Sequence, residues 1–288
     1  MKFVKMHGAG NDYVYLDLFR NDFTGDPSAL AARVSDRHFG IGSDGLIIIM
    51  PSGRADARMR MFNADGSESA MCGNGLRCLA KYVLDEGLRP GPELTVEAGG
   101  KIISVTAERG ADGLVASVNV DMGVPQLQPV DIPAIDLGGE PVIARELEFR
   151  AAVDAARDLP LRHKVTLVSM GNPHCVIFID DAAHFPADRV GPIIEHDRHF
   201  PERCNVHFVE QLAEDALRVR TWERGSGETL ACGSGASAVS VAFGLTQGWR
   251  RPVRMQLAGG ELMLHWQEND HVMMRGPAVL VYRGEIDL

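Results

Sequence analysis

The chain has 288 residues, of which 45% are hydrophobic and 24% charged, as in an ordinary globular protein of about two domains. Its 29 basic and 39 acidic residues give a net charge of −10 at pH 7, and no basic patch interrupts this balance, so we expect no nucleic-acid partner and no membrane partner. The longest compact apolar run, Leu46 to Met50, is far too short to span a membrane, and no secretory signal is recognisable. Five cysteines without a CxxC pair exclude a disulfide scaffold and a zinc ribbon, and they indicate free thiols in a cytoplasmic protein.

Short segments of alternating apolar and polar residues predict β-strands. In chain order these segments are residues 58–61, 94–97, 102–105 and 114–120. Apolar residues recur at helical spacing from Leu76 to Glu86, before Gly87, and a second helical pattern runs from Ala236 to Leu245. The stretch from Pro125 to His163 is rich in Pro, Gly and charge, which predicts a linker and a surface excursion. Many strands with few helices favour an α+β fold over a doubly wound parallel sheet.

The two halves of the chain match each other at a fixed offset. Cys72 and Cys232 lie 160 positions apart (232 − 72), and their surroundings agree at the same offset. The matching pairs are Arg60/Arg220, Phe62/Trp222, Glu68/Glu228, Ser69/Thr229, Gly73/Gly233 and Gly75/Gly235. We therefore expect two pseudo-symmetric copies of one α+β unit, produced by an internal duplication. The first domain is predicted over residues 1–130 with 277–288, and the second over residues 131–276.

Each half carries a Cys-Gly-x-Gly sequence directly before a helical pattern, which predicts that Cys72 and Cys232 lie at helix N-termini. The unpaired N–H groups of a helix N-terminus favour anions, so we expect both thiols to be drawn towards neutral pKa values and to act as bases. The same N–H groups can hold a carboxylate. Small buried cysteines beside glycine turns are the structural alternative for either residue, and the matched pair argues against it.

A pair of equivalent thiols is what an inversion of configuration by proton transfer needs. One base removes the α-proton from one face of the carbon while an acid supplies a proton to the other face. A cysteine protease, in contrast, pairs a single nucleophilic thiol with a histidine and has no use for the duplicate.

The sequence resembles the diaminopimelate epimerase family over nearly its whole length. The motifs that carry the resemblance are Met6-His-Gly-Ala-Gly-Asn-Asp-Tyr13, Phe62-Asn-Ala-Asp-Gly-Ser67, Met71-Cys-Gly-Asn-Gly75, Gly171-Asn-Pro-His-Cys175, Trp222-Glu-Arg-Gly-Ser-Gly-Glu-Thr229 and Ala231-Cys-Gly-Ser-Gly235. The resemblance implies a two-domain fold with the active site in the cleft between the domains. It also implies an epimerase that interconverts LL- and meso-diaminopimelate for lysine and peptidoglycan synthesis without pyridoxal phosphate, metal or any other cofactor, and it implies a homodimer.

The resemblance also assigns roles to individual residues. Cys72 and Cys232 are the two acid/base residues, and His174 and Glu223 modulate their protonation. The expected substrate-binding residues are Asn11, Asn63, Gly73, Asn74, Asn172, Asn205, Glu223, Arg224, Gly233 and Ser234. A substrate with two ammonium and two carboxylate groups calls for amide, carboxylate and guanidinium partners of this kind.

Each of these assignments has a structural alternative. Asparagine beside glycine or proline is often only a turn former, His174 can be a satisfied histidine at a strand edge, and Arg224 can be a solvated charge. Cys78, Cys175 and Cys204 are assigned to packing.

The chain departs from the family pattern at two places. Many members have glutamine where this chain has Gly45, so a side-chain contact to the distal end of the substrate is missing or is replaced by backbone. The segment 140–162 is longer than the family minimum and is interpreted as a surface excursion.

Three other functions would leave different residues in the sequence. A proline racemase or hydroxyproline epimerase typically has His where Asn74 stands. A phenazine-type isomerase or a binding protein on this scaffold would lack the thiol pair. A thiol redox enzyme needs a resolving cysteine closer than the spacing of Cys72 and Cys78 provides.

Overall fold

The computed structural model describes residues 1–69, 72–150 and 159–287. The chain divides into two compact units, the first formed by Met1–Asp121 with Arg275–Leu288 and the second by Met122–Met274. The domain limits expected from the sequence, at residues 130 and 277, stay predictions. None of the helices among the described residues is both long enough and apolar enough to span a membrane.

The first unit consists of a mixed β-sheet and two helices. Its elements are β1 (Lys2–Gly8), β2 (Asn11–Asp17), α1 (Pro27–Ser35), β3 (Gly45–Met50), β4 (Ala57–Asn63), β5 (Glu68–Ser69), α2 (Gly73–Asp85), β6 (Glu93–Ala98), β7 (Lys101–Arg109), β8 (Val115–Asp121) and β18 (Val279–Glu285). Among the described strands the pairing order is β18-β1-β2-β3-β4-β6-β7-β8, with β5 also on β4, and of these pairs β2/β3 and β4/β6 are parallel. The predicted strands therefore correspond to β4, β6, β7 and β8.

Alternation along β2 and β3 sets which helix each side chain faces. Leu16 and Ile48 pack in a core cluster with Val34 of α1. Their neighbours face α2, because the Tyr15 hydroxyl donates to the Gly75 carbonyl and a Cβ on Gly75 would lie 2.4 Å from Ile47 Cδ1. Both faces of these strands are buried, which explains the continuous apolar run at Leu46 to Met50.

The second unit repeats this arrangement. Its elements are β9 (Arg145–Glu148), β10 (Arg162–Ser169), β11 (Pro173–Phe178), α3 (Ala187–Glu195), β12 (Asn205–Ala213), β13 (Ala216–Glu223), β14 (Gly227–Thr229), α4 (Gly233–Gln247), β15 (Val253–Leu257) and β16 (Gly260–Trp266), and β17 (Val272–Pro277) begins in this unit and ends in the first. The described strands pair in the order β9-β10-β11-β12-β13-β15-β16, with β14 also on β13, and of these pairs β11/β12 and β13/β15 are parallel.

The duplication extends to the register of the strands. Leu46 pairs with Phe62 across β3 and β4, and the residues 160 positions later, Val206 and Trp222, pair across β12 and β13. A matching pair of parallel strands precedes each of these ladders, with Tyr13 opposite Gly45 and His174 opposite Asn205. The predicted α+β fold with two repeated units is confirmed.

The expected linker between Pro125 and His163 is wrong for the described part of that stretch. Ile132, Val142, Leu147 and Phe149 are buried in the core cluster around α3, and β9 adds a strand to the sheet. The composition is turn-rich, but its spaced apolar residues fill the interior of the second unit. Within the expected excursion at 140–162, residues 151–158 lie outside the described residues.

Candidate active site

Cys72 is the N-cap residue of α2, so the predicted position at a helix N-terminus is confirmed. Its backbone is extended (φ −135°, ψ 118°), and its Sγ accepts a hydrogen bond from the Gly75 N–H at 3.4 Å. The helix begins at Gly73, three residues before the apolar periodicity, because the first turn of Gly73, Asn74 and Gly75 has no large apolar side chain to reveal it.

Asn11 connects β2 to the start of this helix. Its side-chain oxygen accepts from Cys72 Sγ at 3.5 Å and from Asn74 Nδ2 at 3.2 Å, while its Nδ2 donates to Asp44 at 2.7 Å. Asn74 in turn accepts from Arg77 at 2.7 Å. Asn11, Cys72, Gly73 and Asn74 are thus brought together at one helix end.

Asn63 ends β4 and takes part in a turn, with its Nδ2 donating to Ser67 Oγ at 3.0 Å and its N–H to the Ser67 carbonyl at 2.9 Å. This agrees with the turn-forming alternative. Asn63 is half-buried, and its substrate-binding role stays a prediction.

Cys232 is the N-cap residue of α4, as predicted, and it is buried. Its Sγ lies 3.6 Å from Ser234 Oγ. The Glu223 carboxylate at the end of β13 acts on this thiol by raising its pKa, and it accepts a 2.6 Å hydrogen bond from Thr229 Oγ1. Cys232, Glu223, Gly233 and Ser234 therefore form one cluster in the second unit.

His174 belongs to a buried relay on the face of the sheet towards α4. Its Nε2 lies 2.9 Å from Asn172 Oδ1, and its Nδ1 lies 2.9 Å from Nε2 of His207, whose Nδ1 is 3.0 Å from Thr221 Oγ1. The Asn172 oxygen can only accept a hydrogen bond, so His174 carries its proton on Nε2. His207 then donates from its own Nε2 to Nδ1 of His174. These tautomers are inferred from the hydrogen bonds.

Asn205 and Arg224 hold the loop that carries Glu223. The Asn205 oxygen accepts from the Arg224 N–H at 3.0 Å, and its Nδ2 donates to the Pro173 carbonyl at 2.9 Å. The Arg224 guanidinium donates to the Glu202 carbonyl at 2.9 Å. Buried Glu195 fixes the same loop by accepting from the Gly225 N–H at 3.0 Å and from Trp222 Nε1 at 2.7 Å.

Burial changes the protonation expected from the helix N-termini. Burial raises the pKa of the Cys72 thiol above its ordinary value, and hydrogen bonds from the Gly75 N–H and the Tyr13 hydroxyl oppose this rise. Burial also raises the pKa of Cys232, and the Glu223 carboxylate adds to the rise. The expected shift towards neutrality is therefore wrong for the described structure, because desolvation outweighs the helix end.

The two histidines are shifted in the direction that keeps them neutral. Burial lowers the pKa of His174 well below its usual range, and the Arg224 guanidinium lowers it further. Burial lowers the pKa of His207 to about 3. Buried neutral imidazoles of this kind can orient hydrogen bonds but carry no charge at neutral pH.

The remaining cysteines lie in the hydrophobic interior. Cys78 is in α2, Cys175 in β11 and Cys204 next to the start of β12, and all three are buried. Burial raises the pKa of Cys78 to about 11. These surroundings agree with the packing role expected for them.

Gly45 has no room for a side chain. A Cβ at this position would lie 2.1 Å from the Phe62 carbonyl oxygen and 3.0 Å from Cε1 of the Tyr13 ring. The glutamine of the family pattern therefore has no equivalent here without a backbone shift.

Sequence reasoning missed three residues of these clusters. The Tyr13 hydroxyl opposes the rise in the pKa of Cys72, His207 hydrogen-bonds His174, and Glu195 holds the loop of Glu223. Tyr13 lies in the motif that runs from Met6 to Tyr13, so only its interaction with Cys72 was missed. His207 and Glu195 lie in segments without a motif. Among the residues that the structure describes, no group of three or more His, Cys, Asp or Glu side chains is arranged to hold a metal ion.

The duplicated fold defines a structural class with solved members. A phenazine biosynthesis protein of the PhzF family from Bacillus anthracis matches with a TM-score of 0.69 and 15% identity, covering 100% of this chain and 99% of that chain. At this identity the likeness shows the fold alone.

Sequence comparison identifies the family within that class. The sequence model described as diaminopimelate epimerase matches residues 3–128 and 166–281. The chain is 47% identical to a diaminopimelate epimerase of Leptospira biflexa over 288 residues and 48% identical to one of Acetivibrio thermocellus over 295 residues, each alignment covering 100% of this chain and 99% of the relative. The chain belongs to the diaminopimelate epimerase family. This confirms the family predicted from the motifs and the predicted enzyme class, an isomerase of the epimerase type.

Proposed function

We propose that this protein interconverts LL- and meso-diaminopimelate by moving a proton between the α-carbon and two cysteines, Cys72 and Cys232, without a cofactor. The observation that carries the proposal is that each repeated unit has a cysteine at the N-cap of the equivalent helix. The substrate is inferred from the relatives that share 47–48% identity with this chain, which are diaminopimelate epimerases.

The proton balance requires one thiolate and one thiol. The thiolate removes the α-proton, so the C–H bond breaks and an S–H bond forms on one face of the carbon. The thiol delivers its proton to the opposite face, where a C–H bond forms and an S–H bond breaks. The turnover inverts the carbon and leaves the two sulfurs with exchanged protonation states, so the reverse reaction uses them in opposite roles.

The helix N-termini stabilise the negative charge that develops in this step. When the α-proton leaves, the electron pair is delocalised into the neighbouring carboxylate. We assign the N–H groups of Gly73, Asn74, Gly233 and Ser234 to that carboxylate, because the first N–H groups of a helix have no partner within the helix. Donors that are already oriented stabilise such a charge without reorganisation.

The remaining polar groups of the substrate are assigned to Asn11, Asn63, Asn172, Asn205, Glu223 and Arg224. Of these, Glu223 also raises the pKa of Cys232, so it can bind the substrate ammonium and retain the proton of the thiol. His174 is assigned to modulate the protonation of Cys232 as a neutral imidazole, since its own pKa is lowered well below its usual range by burial.

We further propose that the protein acts in the cytoplasm as a homodimer, in the synthesis of lysine and of the peptidoglycan precursor. Free cysteines and the family resemblance support this setting. Size-exclusion chromatography with light scattering tests the dimer, and a monomer at working concentration would contradict it.

Incubation with LL-diaminopimelate in D2O, without added pyridoxal phosphate or metal, tests the reaction. Chiral separation should show meso-diaminopimelate forming, in the presence or absence of a chelator. At low conversion the product should carry deuterium at the inverted carbon, while recovered substrate keeps protium, because different thiols serve the two faces.

Absence of product, or loss of activity on chelation, would contradict the assigned reaction. Equal deuterium in substrate and product would contradict the two-base route alone. Parallel incubations with L-proline and trans-4-hydroxy-L-proline should give no inversion.

A further inference from the structure

His207 is a buried histidine to which the proposed reaction gives no role. It lies near the start of β12, and none of its surface is exposed. Its Nε2 lies 2.9 Å from Nδ1 of His174, and its Nδ1 lies 3.0 Å from Thr221 Oγ1. These are hydrogen-bond distances, so both ring nitrogens of His207 are engaged.

The first unit has apolar residues at the equivalent positions. His207 stands opposite Thr221 in the β12/β13 ladder, and the residues 160 positions earlier, Ile47 and Met61, stand opposite each other in the β3/β4 ladder. All four side chains are buried. A buried polar pair costs free energy unless its hydrogen bonds are made, whereas an apolar pair fills the same place without that requirement. What distinguishes His207 from Ile47 is therefore its hydrogen bonding and not its volume.

Two matched glycines place these side chains against the first turns of the helices. A Cβ on Gly235 would lie 2.2 Å from Cε1 of His207, and a Cβ on Gly75 would lie 2.4 Å from Cδ1 of Ile47. Gly235 lies in the first turn of α4, which Cys232 caps. His207 therefore packs against the helix start that carries the second candidate thiol, and this close packing restricts the rotation of its ring.

The hydrogen bonds of this relay run in one direction. Nε2 of His174 donates to Asn172 Oδ1, so Nδ1 of the same neutral ring has no hydrogen and can only accept. His207 therefore donates from its Nε2, and its Nδ1 accepts from the Thr221 hydroxyl group. Thr221 fixes the tautomer of His207 in the same way that His207 fixes the tautomer of His174.

We propose that His207 is a positioning residue for the inversion, because its hydrogen bond to Nδ1 holds His174 as the neutral tautomer that carries hydrogen on Nε2. That hydrogen keeps the oxygen of the Asn172 amide turned towards His174 and directs the amide nitrogen elsewhere. His207 is fully buried and acts on the reaction through His174. The inference rests on the roles that the proposed function gives to His174 and Asn172.

Nuclear magnetic resonance of protein with nitrogen-15-labelled histidine tests the hydrogen bond without substrate. The chemical shift of a ring nitrogen that carries hydrogen differs from that of one that does not. At pH 7.5 both His174 and His207 should carry hydrogen on Nε2, and a scalar coupling across the hydrogen bond should connect Nε2 of His207 with Nδ1 of His174. Hydrogen on Nδ1 of His174 would overturn the proposal.

Three variants separate the donor from the rest of the side chain. His207→Gln keeps an amide N–H near the place of Nε2, so His174 should stay protonated on Nε2. His207→Met cannot donate, so both ring nitrogens of His174 should show partial protonation. His199→Gln is the matched control and should leave the His174 spectrum unchanged, because His199 is a buried histidine of the same unit whose Nδ1 lies 2.6 Å from Asp197.

An unchanged His174 spectrum in His207→Met, with the melting temperature retained, would overturn the proposal. If His207→Met does not fold, the coupling in the unaltered protein and the spectrum of His207→Gln decide the question. Loss of the Nε2 hydrogen in a folded His207→Gln would contradict the donor role.

Rates of inversion connect the tautomer of His174 to the reaction. His207→Met should lower kcat/KM for LL-diaminopimelate by about tenfold, as expected for the loss of one hydrogen bond, whereas His207→Gln should stay within about threefold of the unaltered protein. An unchanged kcat/KM in His207→Met would overturn the positioning role. If the spectra are as expected but the unaltered protein inverts no diaminopimelate, the proposed function fails while the hydrogen bond between the two histidines stands.

Discussion

At the scale of single residues, the two candidate thiols occupy equivalent places with unlike neighbours. Cys72 has Arg77 nearby where the repeat has Ser237, and Glu223 beside Cys232 replaces Asn63 of the first unit. A cation and hydrogen-bond donors favour a thiolate, whereas a carboxylate opposes one. In the proposed reaction, Cys72 is therefore expected to lose its proton more readily than Cys232.

Replacing either thiol should abolish inversion. Cys72→Ala and Cys232→Ala are each expected to lower the rate of meso-diaminopimelate formation by at least about 10³-fold, because a two-base route has no spare acid or base. Cys78→Ala, in the same helix as Cys72, should keep activity per folded molecule. The rates are measured by chiral chromatography, and near-normal turnover in either of the first two variants would remove that cysteine from the mechanism.

The buried histidines predict a loss of stability in mild acid. The pKa values of His174 and His207 are lowered in the folded chain, so the unfolded chain binds more protons as the pH falls below about 6.5. The stability that the two neutral imidazoles give the folded chain is complete above that pH. It declines by about 1.4 kcal/mol per pH unit for each imidazole as the pH falls towards the pKa in the folded chain.

Urea unfolding between pH 7 and pH 4.5 measures this slope. His207→Gln should reduce the pH dependence of the unfolding free energy by the amount that one imidazole contributes. An equal slope in the unaltered protein and in His207→Gln would show that His207 takes up its proton without unfolding.

At the scale of elements, the sequence predicts where some of the helices begin but not all of them. The Cys-Gly-x-Gly sequences predict the starts of α2 and α4, but α1 and α3 were not identified. For α1 a signal exists, since Asp26 caps the helix and Pro27 opens it. For α3 the local sequence argues against a helix, because Gly191 and Pro192 lie inside it.

Tertiary packing explains why α3 keeps these residues. A Cβ on Gly191 would lie 2.5 Å from Cγ of Trp222, so the close approach of α3 to β13 needs glycine there. The contact between His174 and His207 was also out of reach from sequence, since it depends on the parallel register of β11 and β12. Patterns along the chain predict elements, whereas contacts across a sheet need the register.

The packing of α4 on its sheet predicts that glycine is needed at position 235, as it is at position 191 in α3. In Gly235→Ala the new Cβ would lie 2.2 Å from Cε1 of His207, so the imidazole must move and the relay to His174 is broken. We expect a net loss of about 1–3 kcal/mol of unfolding free energy despite the better helix propensity of alanine.

Gly139→Ala is the matched control, because nothing lies within 4 Å of a Cβ there, and it should change stability by less than about 0.5 kcal/mol. Thermal unfolding of both variants decides the comparison. Equal melting temperatures would mean that His207 moves aside at no cost.

At the scale of the whole molecule, the proposed reaction requires both thiols to reach one carbon from opposite faces. Mild oxidation of the substrate-free protein should then join Cys72 to Cys232, since a disulfide needs Cα atoms roughly 4.4 to 6.8 Å apart. Activity should fall with oxidation and return with reductant, and bound diaminopimelate should protect by separating the sulfurs. Peptide mapping identifies the bond, and a disulfide between other cysteines would contradict the two-base arrangement.

The path of the chain through the first unit also orders its assembly during synthesis. Residues 122–274 form the second unit as one continuous stretch, whereas the first unit needs β18 beside β1 and the Pro277 carbonyl beneath Arg77 of α2. When only the first 121 residues have been synthesised, the sheet therefore has an unpaired edge at β1, and α2 lacks the contact between Arg77 and the Pro277 carbonyl. The second unit can fold while the chain is still growing, and the first is completed only when residues beyond 275 emerge, so truncation near that point should leave one folded half and one aggregation-prone half.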